Sequence, residues 1–284
     1  MAIETQNTLF LLVTCSLDPT RDDLARKTIL SLIKNSNNSL NKKNFIVFDN
    51  NSKFLNHLPL LEERAKVLLC KKNIGFWNAI YYVVNNHKAL IKKSFKYIYI
   101  IESDTEFYDL FKLNEAEALL NQDKSIGCVR TQEFRVKLKY FFDKKNSFLP
   151  FRVIRSLVSQ VNVATDEGVW FKKYNNFKNM YITNFHAKLM CLHRIDSLIK
   201  VLNILEHTPN FTEVDFMVEF HKQHKINALI DGGIYYQRST IADKGIVSGS
   251  WSSVDDLKKI GYKNSRFGSL DKKINVTFNK TRSL

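Results

Sequence analysis

At 284 residues, the chain is long enough to bury a core without disulfides or a structural metal. With 44% hydrophobic, 12% aromatic and 25% charged residues, it is neither disordered nor fibrous. The formal net charge of +15 would draw phosphate-bearing partners, but the lysines are scattered. A solvated surface or a peripheral contact with anionic lipid accounts for them better than nucleic acid, which is not expected as a partner.

In chain order, the first half alternates short apolar runs with helical stretches. Leu9 to Cys15 reads as a strand and Asp22 to Ile33 as a helix. Phe45 to Asp49 reads as a second strand, followed by a short turn-rich segment. Val67 to Cys70 is a third strand, Phe76 to Leu90 a helix, and Tyr97 to Glu102 a fourth strand. This alternation predicts βαβ units and a mainly parallel sheet. Phe45-Ile46-Val47-Phe48 and Tyr97-Ile98-Tyr99-Ile100-Ile101 are nearly continuous apolar runs, as strands covered by helices on both faces should be.

The second half is less regular. A strand is expected at Ile126 to Arg130, then a basic, aromatic stretch from Arg135 to Lys173 without clear period. A strand follows at Lys188 to Leu192, then helices at Ile195 to Leu205 and Val214 to His221, and a strand at Ile226 to Ile230. From about Thr240 the chain is polar and lysine-rich, broken by Gly245, Gly249, Gly261 and Gly268. The expected division is one catalytic domain over 1–240, with a nucleotide half at about 8–110 and an acceptor half at about 111–240, then a basic extension over 241–284.

Cys15, Cys70, Cys128 and Cys191 stand far apart without a C-x-x-C pair, and three lie in or beside apolar runs. They read as small core residues in a reducing compartment, with no zinc site. The first residues lack a basic n-region, and no stretch reaches the ~20 apolar residues of a membrane span. The expected location is the cytoplasm or the cytoplasmic face of a membrane.

Ligands in open α/β sheets bind beyond the carboxyl ends of the strands. The polar residues there are Thr14, Asp49-Asn50-Asn51-Ser52, Asn73-Ile74-Gly75 and Glu102-Ser103-Asp104. Two acids around a small residue after a buried strand suit Mg²⁺ or Mn²⁺ shared with a diphosphate; the same triplet also serves as an ordinary turn or helix cap. Asp49 and its neighbours suit a turn or a nucleoside contact. Gly75 stands where the backbone needs positive φ or close approach, before a helix whose first amides suit phosphate, with Lys71 and Lys72 adding charge.

Taken in order, these motifs resemble the family 2 glycosyltransferases, of the nucleotide-diphospho-sugar transferase (GT-A) fold. Leu12-Val13-Thr14 with Arg21 resembles the family's opening strand and turn, and Ile46 to Ser52 is similar to its Val-Asp-Asn-Gly-Ser segment. Asn73-Ile74-Gly75 is similar to its Asn-x-Gly turn, and Glu102-Ser103-Asp104 stands in place of its Asp-x-Asp. Thr212 to Phe216, followed by Lys225 to Leu229, looks like its acidic helix and the strand after it.

The resemblance implies a Rossmann-like sheet flanked by helices with an irregular acceptor side. It also implies a nucleotide-diphosphate sugar donor, a saccharide or lipid-linked acceptor, and an inverting transfer. Thr14, Asp49, Asn51, Asn73, Gly75, Glu102, Ser103 and Asp104 would line the nucleotide, with Asp104 on Mn²⁺ or Mg²⁺. Glu213 or Asp215 would be the general base, an ungapped match favouring Glu213. Three departures stand out: Glu102 replaces the first Asp, Val214 separates the two acids of the base motif, and Gln237 stands where many relatives have a metal- or diphosphate-binding His.

His186, His193, His207, His221 and His224 read as structural or surface, with His186 the candidate for an acceptor site. Trp170, Phe171 and Trp251 suit either core or sugar stacking. The Thr14 to Pro19 turn lacks the Gly-rich phosphate loop of sugar nucleotidyltransferases. A non-catalytic basic module binding polysaccharide or nucleic acid is the reading from another class, and it would not gather Asp49, Asp104, Glu213 and Asp215 in one cleft.

Overall fold

The computed structural model describes residues 7–37, 39–87, 91, 93–131, 163–164, 170–173, 177, 180–183, 190–206, 216, 219–220, 222–224, 226–230 and 233–237. Strands β1 (Thr8–Thr14), β2 (Phe45–Asn50), β3 (Lys66–Cys70) and β4 (Tyr97–Glu102) are all parallel, in the order β3-β2-β1-β4. Their registers align the carboxyl ends: Thr14 lies opposite Asp49, and Val13 opposite Glu102.

Beyond β4 the sheet becomes mixed. It continues through β10 (Cys191–Arg194), β6 (Ile126–Arg130) and β11 (Ile226–Ile230), then β9 (Met180–Thr183), β8 (Trp170–Lys173) and β7 (Val163–Ala164). β10 runs antiparallel to both β4 and β6, so β6 and its parallel neighbour β11 point the same way as β1 and β4. A separate two-stranded ribbon pairs β5 (Thr105–Phe107) with β12 (Tyr235–Gln237).

Side chains alternate across the sheet with the period of two that a strand imposes. Phe10, Leu12, Phe45, Val47, Tyr97, Tyr99 and Ile101 face a core shared with α1 (Pro19–Asn35) and α3 (Lys112–Gln122). Leu9, Leu11, Val13, Ile46, Phe48, Ile98 and Ile100 face a second core under α2 (Phe76–Asn86) and α4 (Ile195–Leu205). Both faces are covered, which is why β2 and β4 are apolar along their length.

Several expectations need correction. Cys128 and Cys191 are buried, but Cys15 and Cys70 are only half-buried, because they stand at strand ends where the sheet opens to the rim. The strand expected at Lys188 to Leu192 is Cys191–Arg194, since His193 and Arg194 pair with β4 and β6. β5, α3, β7 to β9 and β12 are additions to the predicted set. Most of the 135–173 stretch and of the helix expected at Val214 to His221 lies outside the described residues, as do the 241–284 extension, His186, His207, His221 and Trp251.

No helix among the described residues is long and apolar enough to cross a membrane.

Candidate active site

The rim is built from the inside outward. Asp49, 3% exposed at the end of β2, is held by its own chain. Its Oδ1 accepts the Ser52 amide at 2.9 Å, and its Oδ2 accepts the hydroxyls of Thr14 at 2.9 Å and Ser52 at 2.5 Å. Beneath it lies His57, fully buried, whose Nδ1 is 2.7 Å from Asp22 Oδ1 and whose Nε2 is 3.6 Å from Asp49 Oδ2. The imidazole therefore bridges two carboxylates, and Asn56 donates to the other Asp22 oxygen at 2.9 Å.

Burial alone would lower the His57 pKa, but hydrogen bonds to Asp49 and Asp22 and their charges outweigh it and raise it. Burial would raise both carboxyls, yet the bonds from His57, reinforced by Ser52 and Thr14 at Asp49 and by Asn56 at Asp22, hold both below the usual range. Each shift favours the charged form of its group, imidazolium at His57 and carboxylate at Asp49 and Asp22. His57 was not among the residues singled out from the sequence. It lies in the turn-rich segment just before the short 3₁₀ helix Leu58–Leu61, and no periodicity links it to Asp22.

The outer layer joins the loops after β1, β2 and β3. Asn50 donates to Asn73 Oδ1 at 2.9 Å and accepts the Ile74 amide at 2.9 Å. Asn73 accepts the Gly75 amide and donates to Cys15 Sγ at 3.4 Å. Asn51 takes the left-handed φ of +65° that Asn tolerates, and Gly75 has φ +83° and ψ 160°, a region almost confined to glycine. Asn50 is thus the buried link between β2 and β3, while Asn51 and Asn73 are exposed on the rim.

Glu102, Ser103 and Asp104 are half-buried in the turn from β4 into β5. One face of α1 holds that turn: Thr28 Oγ1 accepts the Thr105 amide at 3.0 Å, Ser31 Oγ accepts the Phe107 amide at 3.1 Å, and Asn35 donates to the Phe107 carbonyl at 2.9 Å. On its other edge β5 pairs with β12, placing Gln237 opposite Thr105, next to Asp104 in the chain. The position at which a His was looked for in the sequence therefore does lie beside the acidic triplet.

Because β2 and β4 both flank β1, Asp49, near the end of β2, and Asp104, in the turn after β4, belong to strands about 10 Å apart on one rim. Arg130, 5% exposed, ends β6 on the same side. Tyr235, buried in β12, feels the charges of both Glu102 and Arg130, so an acid and a buried guanidinium lie near one ring; Arg130 also went unremarked in the sequence. Glu213 and Asp215 lie outside the described residues.

Among the described residues, no three His, Cys, Asp or Glu side chains gather to hold a metal ion by themselves. The donors present at the β4 turn, Asp104 with Glu102 nearby, are hard carboxylate oxygens. They fit a Mg²⁺ or Mn²⁺ ion that completes its shell with substrate phosphates rather than a dedicated protein cage.

The sequence matches no protein-family model and no curated protein. Solved structures are similar to it in fold. S. aureus TarS, in its 1–349 form, is 13% identical with a TM-score of 0.44, covering 81% of this chain and 60% of that one. In a second TarS structure the figures are 12%, 0.45, 82% and 37%. GalNAc-T7, solved with UDP, GalNAc and Mn²⁺, is 10% identical with a TM-score of 0.51, covering 96% of this chain and 55% of that one. The chain thus spans between about a third and three fifths of the proteins it resembles. TarS and GalNAc-T7 are both GT-A-type glycosyltransferases. With four parallel strands ending on one polar rim and helices on both faces, this chain has a GT-A fold.

Proposed function

We propose that the chain is a glycosyltransferase of the family 2 type. It moves a sugar from a nucleotide-diphosphate donor to a hydroxyl of a saccharide or lipid-linked acceptor, with inversion at the anomeric carbon. What supports this reading is the convergence of Thr14, Asp49, Asn73 and the Glu102 to Asp104 turn on one rim of a GT-A sheet.

In this reading Thr14, Asp49, Asn51, Asn73, Gly75, Glu102 and Ser103 cradle the nucleotide. The His57 bridge and the Asn50 link keep their loops in register. Asp104 holds a Mn²⁺ or Mg²⁺ ion, which when bound supplies positive charge against the departing diphosphate. Glu213, or Asp215, takes the proton from the acceptor hydroxyl on the face opposite the leaving group, as an inverting displacement requires. The acceptor belongs to surface-polysaccharide or lipid-linked oligosaccharide synthesis, carried out in the cytoplasm or at the cytoplasmic face of a membrane.

Calorimetric titration of UDP, dTDP, GDP and CMP, each with and without Mn²⁺, tests the donor half. One nucleotide should bind, more tightly with metal, and Asp104→Ala should abolish the enhancement. Failure of all four to bind would overturn the reading.

A further inference from the structure

A cleft of about 460 Å³ runs along α2, within the size range of ligand sites. Asn78, Tyr81, Tyr82, Asn85 and Asn86 line it, and their spacing of three and four puts them on one face of the helix. Glu206, just past the end of α4, forms part of the opposite wall. The other face of α2, with Ala79, Ile80, Val83 and Val84, is buried in the core. Ile74 and Tyr81 also pack partly against that core, while Asn78, Tyr82 and Asn86 are exposed.

Its chemistry is that of a sugar site. Tyr82 is 49% exposed and its ring is braced by Phe48, with centroids 5.7 Å apart. Such a ring offers a flat face to the C–H side of a pyranose. Asn78 and Asn86 donate to the carbonyls of Ile74 and Tyr82 at 2.8 and 3.0 Å, which fixes their amide planes. Burial and the nearby Glu206 carboxylate push the Tyr81 phenol up, and Asn85 opposes them. Fixed amides, a phenol and a carboxylate are the groups that read hydroxyls.

Charge narrows the class. Although the chain carries 43 lysines and arginines, none among the described residues lines the cleft, and the one charged group there is an acid. A phosphate or uronate chain would be repelled, and a neutral sugar would not.

Position ties the cleft to the rim. Ile74, at one end, lies between Asn73 and Gly75 of the nucleotide loops. Glu206, on the far wall, precedes by seven residues the segment that begins with Glu213.

We propose that this cleft is a binding subsite for a neutral hexopyranose chain, holding the acceptor beside the donor rim. The proposal rests on the glycosyltransferase reading but is tested separately from it. Cellohexaose, maltohexaose and chitohexaose would be titrated into the full chain, followed by saturation-transfer NMR and calorimetry, alongside UDP, dTDP, GDP and CMP with Mn²⁺. At least one hexasaccharide should bind. Tyr82→Ala should weaken it by about tenfold, Tyr82→Phe should keep it, and both should leave nucleotide affinity unchanged.

Binding of none of the three at millimolar concentration, or equal binding by Tyr82→Ala and wild type, would overturn the subsite. Saccharide binding that depends on Tyr82, with no nucleotide bound, would keep the cleft and remove the transferase reading. Because Tyr82 is half exposed, its truncation leaves the core intact, and an unchanged thermal midpoint would verify this.

Discussion

His57 stands between two buried acids beneath the rim, Asp22 and Asp49. Its pKa is raised in the folded state, so its contribution to stability is complete below the usual imidazole value of about 6.5 and is lost as pH rises through the raised one. Asp22 and Asp49 are lowered, so theirs is present above about 4 and is lost as pH falls through the depressed values. Thermal midpoints should therefore peak between these limits. His57→Gln should cost about 3 kcal/mol by leaving two buried carboxylates without their cation, and should flatten the decline on the alkaline side of the peak; a pH series of melts on both proteins checks it. Gly75→Ala is a purely conformational change. Nothing lies within 4 Å of the added Cβ, but φ is +83°, so a loss of about 1–3 kcal/mol is expected from the backbone alone, measured by denaturant unfolding. The acids that end β2 and β4 were legible as strand-end residues because a buried apolar run makes its terminal carboxylate conspicuous. His57 was not, since its partners stand 35 residues away at Asp22 and 8 away at Asp49, in elements joined only by folding.

Between α1 and β5, secondary structure positions chemistry directly. Thr28, Ser31 and Asn35 recur at intervals of three and four, so one polar stripe of α1 satisfies the backbone edge of β5 and fixes the turn that bears Asp104. Thr28→Val removes the acceptor for the buried Thr105 amide while keeping the side-chain shape. It should cost about 1–3 kcal/mol in unfolding experiments and weaken metal-enhanced nucleotide binding in calorimetry, without touching a ligand. At the opposite end of the sheet, Arg194 donates to the carbonyls of Ile126, Leu120 and Asp123, joining β10 to the C-terminus of α3. Arg194→Leu should destabilise the fold by about 2–3 kcal/mol in the same assay, because three bonds from one charged donor to the Leu120, Asp123 and Ile126 carbonyls are lost together. The long elements were readable: β4, β6, α4 and β11 occupy the expected residues. The three-residue strands β5 and β12 were not, because three residues are too few to express a period of two. The apolar stripe Leu113, Ala116, Leu119 and Leu120 of α3 was there to be read but was passed over.

For the whole molecule, the sheet changes character halfway across. β3, β2, β1 and β4 form a parallel unit fed by helical crossovers, and β10 then enters antiparallel, interposed between β4 and β6. If the proposed chemistry holds, Glu213→Gln should lower turnover by about 10²–10⁴-fold while nucleotide affinity measured by calorimetry stays unchanged, since a general base acts on the acceptor hydroxyl and not on donor binding. Loss of nucleotide affinity in that variant would place Glu213 elsewhere. By itself, the sequence determined the parallel first half, the two-sided burial of β2 and β4, and the order of polar strand ends. These follow from local hydrophobic period and from turn residues, which neighbours in the chain dictate. Only the tertiary structure decided where β10 inserts, that Gln237 sits across from Thr105, that His57 bridges Asp22 and Asp49, and that α2 and Glu206 enclose a cleft. Each of these depends on contacts between residues distant in sequence, and strand order and side-chain convergence leave no trace in local periodicity.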